Sequence, residues 1–184
     1  ELPWELSAYD ETLRLFTSGT TGRQKSVCLT SINEVLSAHD VMIHFPFSFS
    51  DVSMNTTPWF HRGGLHSGGI TPTLYAGGTV VIQRRFQAAQ TLDAVVKYGL
   101  TFLIGVPNVL ELLAEEQQKH PRDLSSLRGI VTMGSPLERA DCIRYQKLLT
   151  PRIFNGYGTT ETFWNTFLRP DDLPEMAGSA GRSC

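Results

Sequence analysis

Cysteine is scarce in this chain. The 184 residues contain three, Cys28, Cys142 and Cys184, and no two form a C-x-x-C pair. That excludes a disulfide framework and a cysteine-ligated zinc site, and it fits a reducing, cytoplasmic setting. No apolar run approaches the roughly 20 residues needed to cross a bilayer. No secretory leader is visible either, so no membrane span is expected. Positive charge is not in excess: 16 Lys and Arg against 18 Asp and Glu leave a net charge of -2. The broad basic footprint of a nucleic-acid binder is therefore missing, although Arg84 and Arg85 form one local basic pair. Neither G-x-S-x-G nor H-E-x-x-H occurs, so serine-hydrolase and zinc-peptidase chemistry have no carrier. Internal repeats and low-complexity linkers are also absent.

What remains is an ordinary globular composition, 41% hydrophobic and 18% charged, long enough for one domain with a sizeable core. Short apolar runs at 13–16, 52–60, 79–83, 101–106, 129–134 and 152–158 read as strands. Segments of helical period lie between them. Ile32, Val35, Leu36, His39 and Ile43 share one helical face, as do Leu92, Val95 and Val96, then Val109, Leu112 and Leu113, then Cys142, Tyr145, Leu148 and Leu149. Ser31 with Glu34 reads as a capping box, Gly99 as a helix stop, and Pro107–Asn108 as a helix start. The alternation predicts an α/β fold: a layered domain with a largely parallel β-sheet flanked by helices. In such sheets ligands bind beyond the carboxyl ends of the strands. "TSGTTG", "HRGG", "MGSP" and "NGYGTTE" all fall at predicted strand ends, so four loops could converge on one rim.

Two of these loops carry chemistry. In "FTSGTTGRQKSV" (16–27), Ser18, Gly19, Thr20, Thr21 and Gly22 offer close-approaching backbone N–H groups. Thr17, Ser18, Thr20 and Thr21 add hydroxyls, and Lys25 adds a mobile cation. The set suits a polyphosphate; the plainer alternative is a polar hairpin turn. The spacing is not that of a Walker loop, which disfavours a P-loop fold. In "FNGYGTTE" (154–161), glycines flank Tyr157, whose ring can stack on a purine. Thr160 can donate to a phosphate, and Glu161 is a hard oxygen ligand of the kind Mg²⁺ prefers. The plainer alternative here is a strand-to-helix turn with a threonine N-cap.

Taken together, in this order and at this separation, the two motifs resemble the acyl-adenylate-forming superfamily. It includes acyl-CoA synthetases, firefly luciferase and the adenylation domains of nonribosomal peptide synthetases. "TPWFHRGGL" (57–65) and "DLSSLRGIVTMGSPL" (123–137) are similar to intervening segments of that family, so the resemblance covers essentially the whole chain. It implies an ATP-dependent ligase that joins a small carboxylic acid to AMP with release of pyrophosphate. The acyl group then passes to a thiol, usually that of coenzyme A. By the same resemblance, Thr17, Ser18, Gly19, Thr20, Thr21, Gly22 and Lys25 handle the β- and γ-phosphates. Gly134, Ser135 and Pro136 form one wall of the adenine site. Asn155, Gly156, Tyr157 and Gly158 form the other. Thr160 contacts the α-phosphate, Glu161 holds Mg²⁺, and His61 stands near the reacting carboxylate. Trp59, His61, Leu65, Gly105, Val106, Phe163 and Trp164 become candidate liners of the acid pocket. If Trp164 protrudes into it, a small or aromatic acid fits better than a long chain.

The chain departs from the family's pattern in two ways. Gln24 and Ser26 stand where proline and glycine are usual, which should leave the first loop less stiff. The family's ribose-binding aspartate and catalytic lysine have no counterpart in this sequence. Residues 1–184 are thus expected to be the AMP/ATP-binding subdomain of a longer protein, its N-terminal lobe and mobile C-terminal domain lying outside the sequence. The piece alone is expected not to complete adenylation. Two alternatives stay open: an adenylation domain or ligase that loads a carrier-protein thiol, and a non-catalytic nucleotide-binding module that kept the fold.

Overall fold

The computed structural model describes residues 5, 7–18 and 23–184. The chain begins with an antiparallel hairpin, β1 (Glu11–Thr17) and β2 (Lys25–Thr30), in which Thr17 faces Lys25. Helix α1 (Ser31–His44) leads to β3 (Val52–Asn55), followed by two short helices, α2 (Arg62–His66) and α3 (Ile70–Tyr75). Next come β4 (Thr79–Val80), α4 (Ala88–Tyr98), β5 (Phe102–Gly105), α5 (Pro107–Lys119), β6 (Gly129–Met133) and α6 (Arg139–Leu148). β7 (Ile153–Thr159), β8 (Phe163–Leu168) and β9 (Arg182–Ser183) close the chain.

Among the described residues, seven strands form one sheet in the order β4-β3-β5-β6-β7-β8-β9. It is parallel from β4 through β7 and antiparallel at β8 and β9. This is the expected α/β architecture. The central strands are buried on both faces, and their side chains alternate between two cores with the strand period of two. Leu103, Ile130 and Ile153 join Leu92, Val95, Leu110, Leu113, Cys142 and Tyr145 under α4, α5 and α6. Phe102, Ile104, Val131 and Phe154 join Phe45, Phe47, Phe163, Trp164 and Phe167 on the opposite face. Each fully buried side chain of this size stabilises the fold by about 1.5–3 kcal/mol.

Several local expectations are corrected. β1 is not part of the main sheet: its partner is β2, so the first loop joins two antiparallel strands of a separate hairpin. Ser26 lies extended in β2 opposite Phe16, where a side chain is tolerated without strain. The capping box sits one residue earlier than expected. Thr30 is the N-cap, and its N–H donates to Asn33 Oδ1 at 2.9 Å. Glu34 is thereby free to accept from His66 Nε2 at 2.9 Å.

The α1 stripe faces outward as well. Val35, Leu36 and Ile43 are exposed, while Ser37, Ala38, Val41 and His44 face the protein. Buried polar partners explain this inward face: the Ser37 hydroxyl accepts from Arg62 of α2, and the His44 imidazole pairs with Arg169 at 2.7 Å. Val96 and Leu112, assigned to inward stripes, are likewise half exposed. The stops at Gly99, in left-handed conformation, and the start at Pro107 stand as expected.

Asp51 pins the entry of β3. It is 1% exposed, accepts from Ser48 N and Oγ at 2.7 and 2.8 Å, and receives Arg128 Nη1 at 2.6 Å. Burial alone would raise its pKa, but hydrogen bonds from Thr101, Ser48 and Arg128 outweigh burial and hold the carboxyl below its ordinary value. A depressed folded pKa means stability that is present above the unfolded value, about 3.9, and lost as pH falls through the folded value. Asp51→Asn is expected to cost about 2 kcal/mol at neutral pH and to flatten stability below pH 4; Arg128 is partly exposed, which keeps the figure modest. Urea unfolding at pH 7 and pH 3.5 tests this, and a variant as stable as the parent at pH 7 would refute it.

Candidate functional site

The C-terminal ends of β3, β6 and β7 open onto one rim, and the β1–β2 hairpin reaches it from outside the sheet. The turn after β3 is built by Asn55. Its Nδ2 donates to Gly63 O at 3.0 Å, and its Oδ1 accepts from Thr57 N at 2.8 Å. Gly64 allows this fold-back, since a Cβ there would lie 2.2 Å from Pro58 O. His61 becomes the N-cap of α2, exposed at the rim with its ring 4.6 Å from that of Phe60.

A cavity of about 610 Å³ occupies this rim. Thr17, Ser18 and Lys25 line one side, His61, Arg62, Gly63 and Ser67 another, and Met133 and Gly134 the base. Gly156, Gly158, Thr159, Thr160, Glu161, Phe163 and Trp164 complete it. Hydroxyls, a lysine and a single carboxylate thus face aromatic side chains across one space. A second cavity of about 310 Å³ is lined by Gly134, Ser135, Pro136, Leu137, Asn155, Gly156, Tyr157 and Gly158, with Gly178, Ser179 and Ala180. Gly134, Gly156 and Gly158 line both, so the two spaces meet across a glycine-lined wall.

The second cavity has an unmet polar need. Asn155 is 5% exposed, and its Oδ1 is buried without a partner. A buried acceptor of this kind calls for a donor supplied from the cavity. Tyr157, half exposed, adds an aromatic face beside it. A planar heterocycle with an amino group fits both features. In the first cavity, no cluster of three or more His, Cys, Asp or Glu occurs among the described residues. Glu161 as a lone hard oxygen ligand fits Mg²⁺, which keeps waters and shares phosphate oxygens, rather than a metal caged by protein.

The plainer alternative for the second motif, a strand-to-helix turn, does not describe the fold. "NGYG" lies within β7, and the following turn leads to antiparallel β8, not to a helix. Phe163, paired with Thr159 at the start of β8, has φ of 64°, a left-handed conformation that costs an L-residue about 1–3 kcal/mol. Its ring stacks on Trp164 at 4.7 Å and meets His66 edge-on at 6.2 Å. Trp164 is 6% exposed: it lines the large cavity as a packed wall rather than as a protruding side chain. Trp59, Leu65, Gly105 and Val106 line neither cavity. Gly19, Thr20, Thr21 and Gly22 lie outside the described residues.

Three features escaped sequence reasoning. Gly178–Ala180 closes the second cavity; the "GSAG" spacing was its only signal. Met133 contributes to the floor between the motifs. Arg62 is 8% exposed, and burial lowers its pKa while Glu34, Asp40 and Glu161 favour the charge. It donates to Thr160 O and, at 3.1 Å, to Ser37 Oγ. In the sequence it is one residue among several in "FHRGG", with nothing to mark it as buried.

Two abutting spaces at the carboxyl edge of a parallel sheet, one suited to phosphates and one to a heterocycle, define a nucleotide-binding α/β protein. The chain belongs to the AMP-binding enzyme family, whose model matches residues 5–184. It is 36% identical over 169 residues to an indoleacetate–CoA ligase of Aromatoleum aromaticum, covering 91% of this chain and 33% of that protein. It is 31% identical to a feruloyl-CoA synthase of an Amycolatopsis species, covering 94% and 35%. Among solved structures, o-succinylbenzoate CoA synthetase (MenE) of Bacillus subtilis, in complex with ATP and magnesium, matches with a TM-score of 0.86 and 27% identity. That match covers 100% of this chain and 38% of the other. The chain thus spans about a third of the length of the curated relatives it matches. No helix among the described residues is long and apolar enough to cross a membrane.

Proposed function

We propose that this chain supplies the ATP site, and part of the acid site, of a larger enzyme that activates a carboxylic acid and transfers it to coenzyme A. The observation that carries this reading is the pair of cavities sharing Gly134, Gly156 and Gly158, with an unpartnered Asn155 acceptor on one side and Lys25, Thr160 and Glu161 on the other. In this reading Asn155, Tyr157, Ser135 and Pro136 hold the adenine. Thr17, Ser18 and Lys25, with Gly19 to Gly22, take the β- and γ-phosphates, and Thr160 meets the α-phosphate. Glu161 would hold Mg²⁺, which would supply neutralisation of the phosphate charge. The substrate carboxylate attacks the α-phosphorus, the bond to the bridging oxygen breaks, and pyrophosphate leaves. A thiolate then attacks the acyl carbonyl and AMP departs. The protein's part is positioning and charge neutralisation. His61, on the rim of the larger cavity, orients the carboxylate.

The stacked Phe163 and Trp164 favour an aromatic acid, which agrees with the names of the indoleacetate and feruloyl relatives. Similarity to a fatty acid–acyl-carrier-protein ligase of Streptomyces coeruleorubidus, 32% over 165 residues, supports a second reading in which a carrier thiol replaces coenzyme A. The rest of the enzyme, including an N-terminal lobe and a mobile C-terminal domain, and a cytoplasmic location are parts of the same proposal. The test is pyrophosphate release by the full-length protein with indole-3-acetate, ferulate and palmitate. Aromatic acids are expected to turn over fastest, and the 184 residues alone are expected to give no release. Efficient use of palmitate would overturn the aromatic preference; no release with any carboxylic acid would overturn the activity.

A further inference from the structure

We propose that Arg62 is a positioning residue: it clamps the turn between β7 and β8 and so sets the conformation in which Thr160 and Glu161 face the cavity. The inference rests on the nucleotide-activation reading and adds a residue to it. Arg62 grips the turn at both ends. Nη1 donates to the Thr160 carbonyl, and the guanidinium lies 5.2 Å from the centroid of the Phe163 ring. Nη2 anchors the same group to Ser37 of α1 at 3.1 Å. Glu161 and Thr162 sit between the two gripped points, so their path is fixed from either side.

The turn needs such a hold. Left-handed Phe163 persists only where surrounding contacts over-determine it. Two hydrogen bonds inside the turn are exposed: Thr162 N donates to Thr159 Oγ1 at 3.2 Å, and the two hydroxyls lie 3.0 Å apart; a third, from Thr162 Oγ1 to Phe163 O, is long at 3.5 Å. Arg62, anchored by its buried bond to Ser37, adds a polar restraint from the interior beside the packing of Phe163 on Trp164 and His66. A planar fork is required, because one group must reach a carbonyl and a hydroxyl while lying over a ring. A lysine ammonium reproduces the charge but not that geometry.

The test compares full-length wild type, Arg62→Lys and Arg62→Met by amide hydrogen exchange across residues 158–163 and by the Mg²⁺ dependence of pyrophosphate release. Arg62→Met is expected to exchange about tenfold faster in that segment. It should also lower kcat by about 100-fold and raise the Mg²⁺ concentration for half-maximal rate several-fold, with KM for the acid changing less than about twofold. Arg62→Lys should be intermediate in every readout. Unchanged exchange and unchanged Mg²⁺ dependence in a folded Arg62→Met protein would overturn the proposal. So would a raised acid KM as the only effect, which would make Arg62 a substrate contact. If Arg62→Met does not fold, Arg62→Lys decides: wild-type exchange and Mg²⁺ dependence there overturn the clamp. A wild type without acid-dependent release defeats the activity reading, while the exchange comparison still decides the clamp.

Discussion

Glu161→Gln in the full-length protein is expected to reduce acid-dependent pyrophosphate release by about 100- to 1,000-fold, the usual loss when one preorganised electrostatic group is removed from a reacting centre. Glu161 stands on the β7–β8 turn and lines the same cavity as Thr17, Ser18 and Lys25. Glutamine keeps the size and the carbonyl oxygen but removes the negative charge that draws a hard cation. Among the described residues that line this cavity, Glu161 is the single carboxylate. The loss should fall on kcat and be partly recovered by raised Mg²⁺, while binding of the adenine portion, made in the neighbouring cavity, should hold. Activity within about threefold of wild type would exclude Glu161 from the reaction.

Gly158→Ala should be the most damaging single methyl in the chain for both cavities. A Cβ at this position would lie 1.6 Å from Phe163 O, 2.6 Å from Phe163 C and 2.9 Å from Trp164 Cα. All three are backbone atoms of the paired strand, so no rotamer change relieves the clash. β7 and β8 must separate where Gly158 pairs with Trp164. The cost is expected to reach about 3 kcal/mol, the upper part of the overpacking range. The shared wall of both spaces would be displaced with it. Gly99→Ala is the control: Gly99 has φ of 61° but open space around its missing Cβ, so only left-handed strain of about 1 kcal/mol is expected. Urea unfolding midpoints and ATP binding by both variants check the contrast. Equal stability losses would show that the close approach at Gly158 does not govern the turn.

Much of the fold was legible because its signals are local. The runs around Leu103, Ile130 and Ile153 announce doubly buried parallel strands, and Gly99 and Pro107 punctuate the helices between them. Other features depend on partners far away in sequence. The outward turn of Val35, Leu36 and Ile43 could not be read from period alone, since an amphipathic face says that apolar residues share a side, not which side is covered. Ser37 is inward because Arg62 waits there, and Glu34 left the capping box because His66 needed an acceptor. The hairpin β1–β2 looked like a sheet strand plus a loop because strand propensity carries no information about the partner strand.

The candidate site divides the same way. Residue types and their order determined what kinds of groups were available: hydroxyls, glycines and a lysine in one motif, an asparagine, a tyrosine and a carboxylate in the other. Those are chemical identities, and they survive without coordinates. Only the tertiary structure decided that Phe163 and Trp164 line the large cavity while Trp59, Leu65, Gly105 and Val106 do not. It alone placed Gly178–Ala180 against Asn155, left the Asn155 oxygen without a partner, and buried Arg62 against Thr160 and Phe163. The physical reason is that desolvation, close backbone approach and buried pairing arise between segments distant in the chain. They exist only once the sheet has ordered its strands.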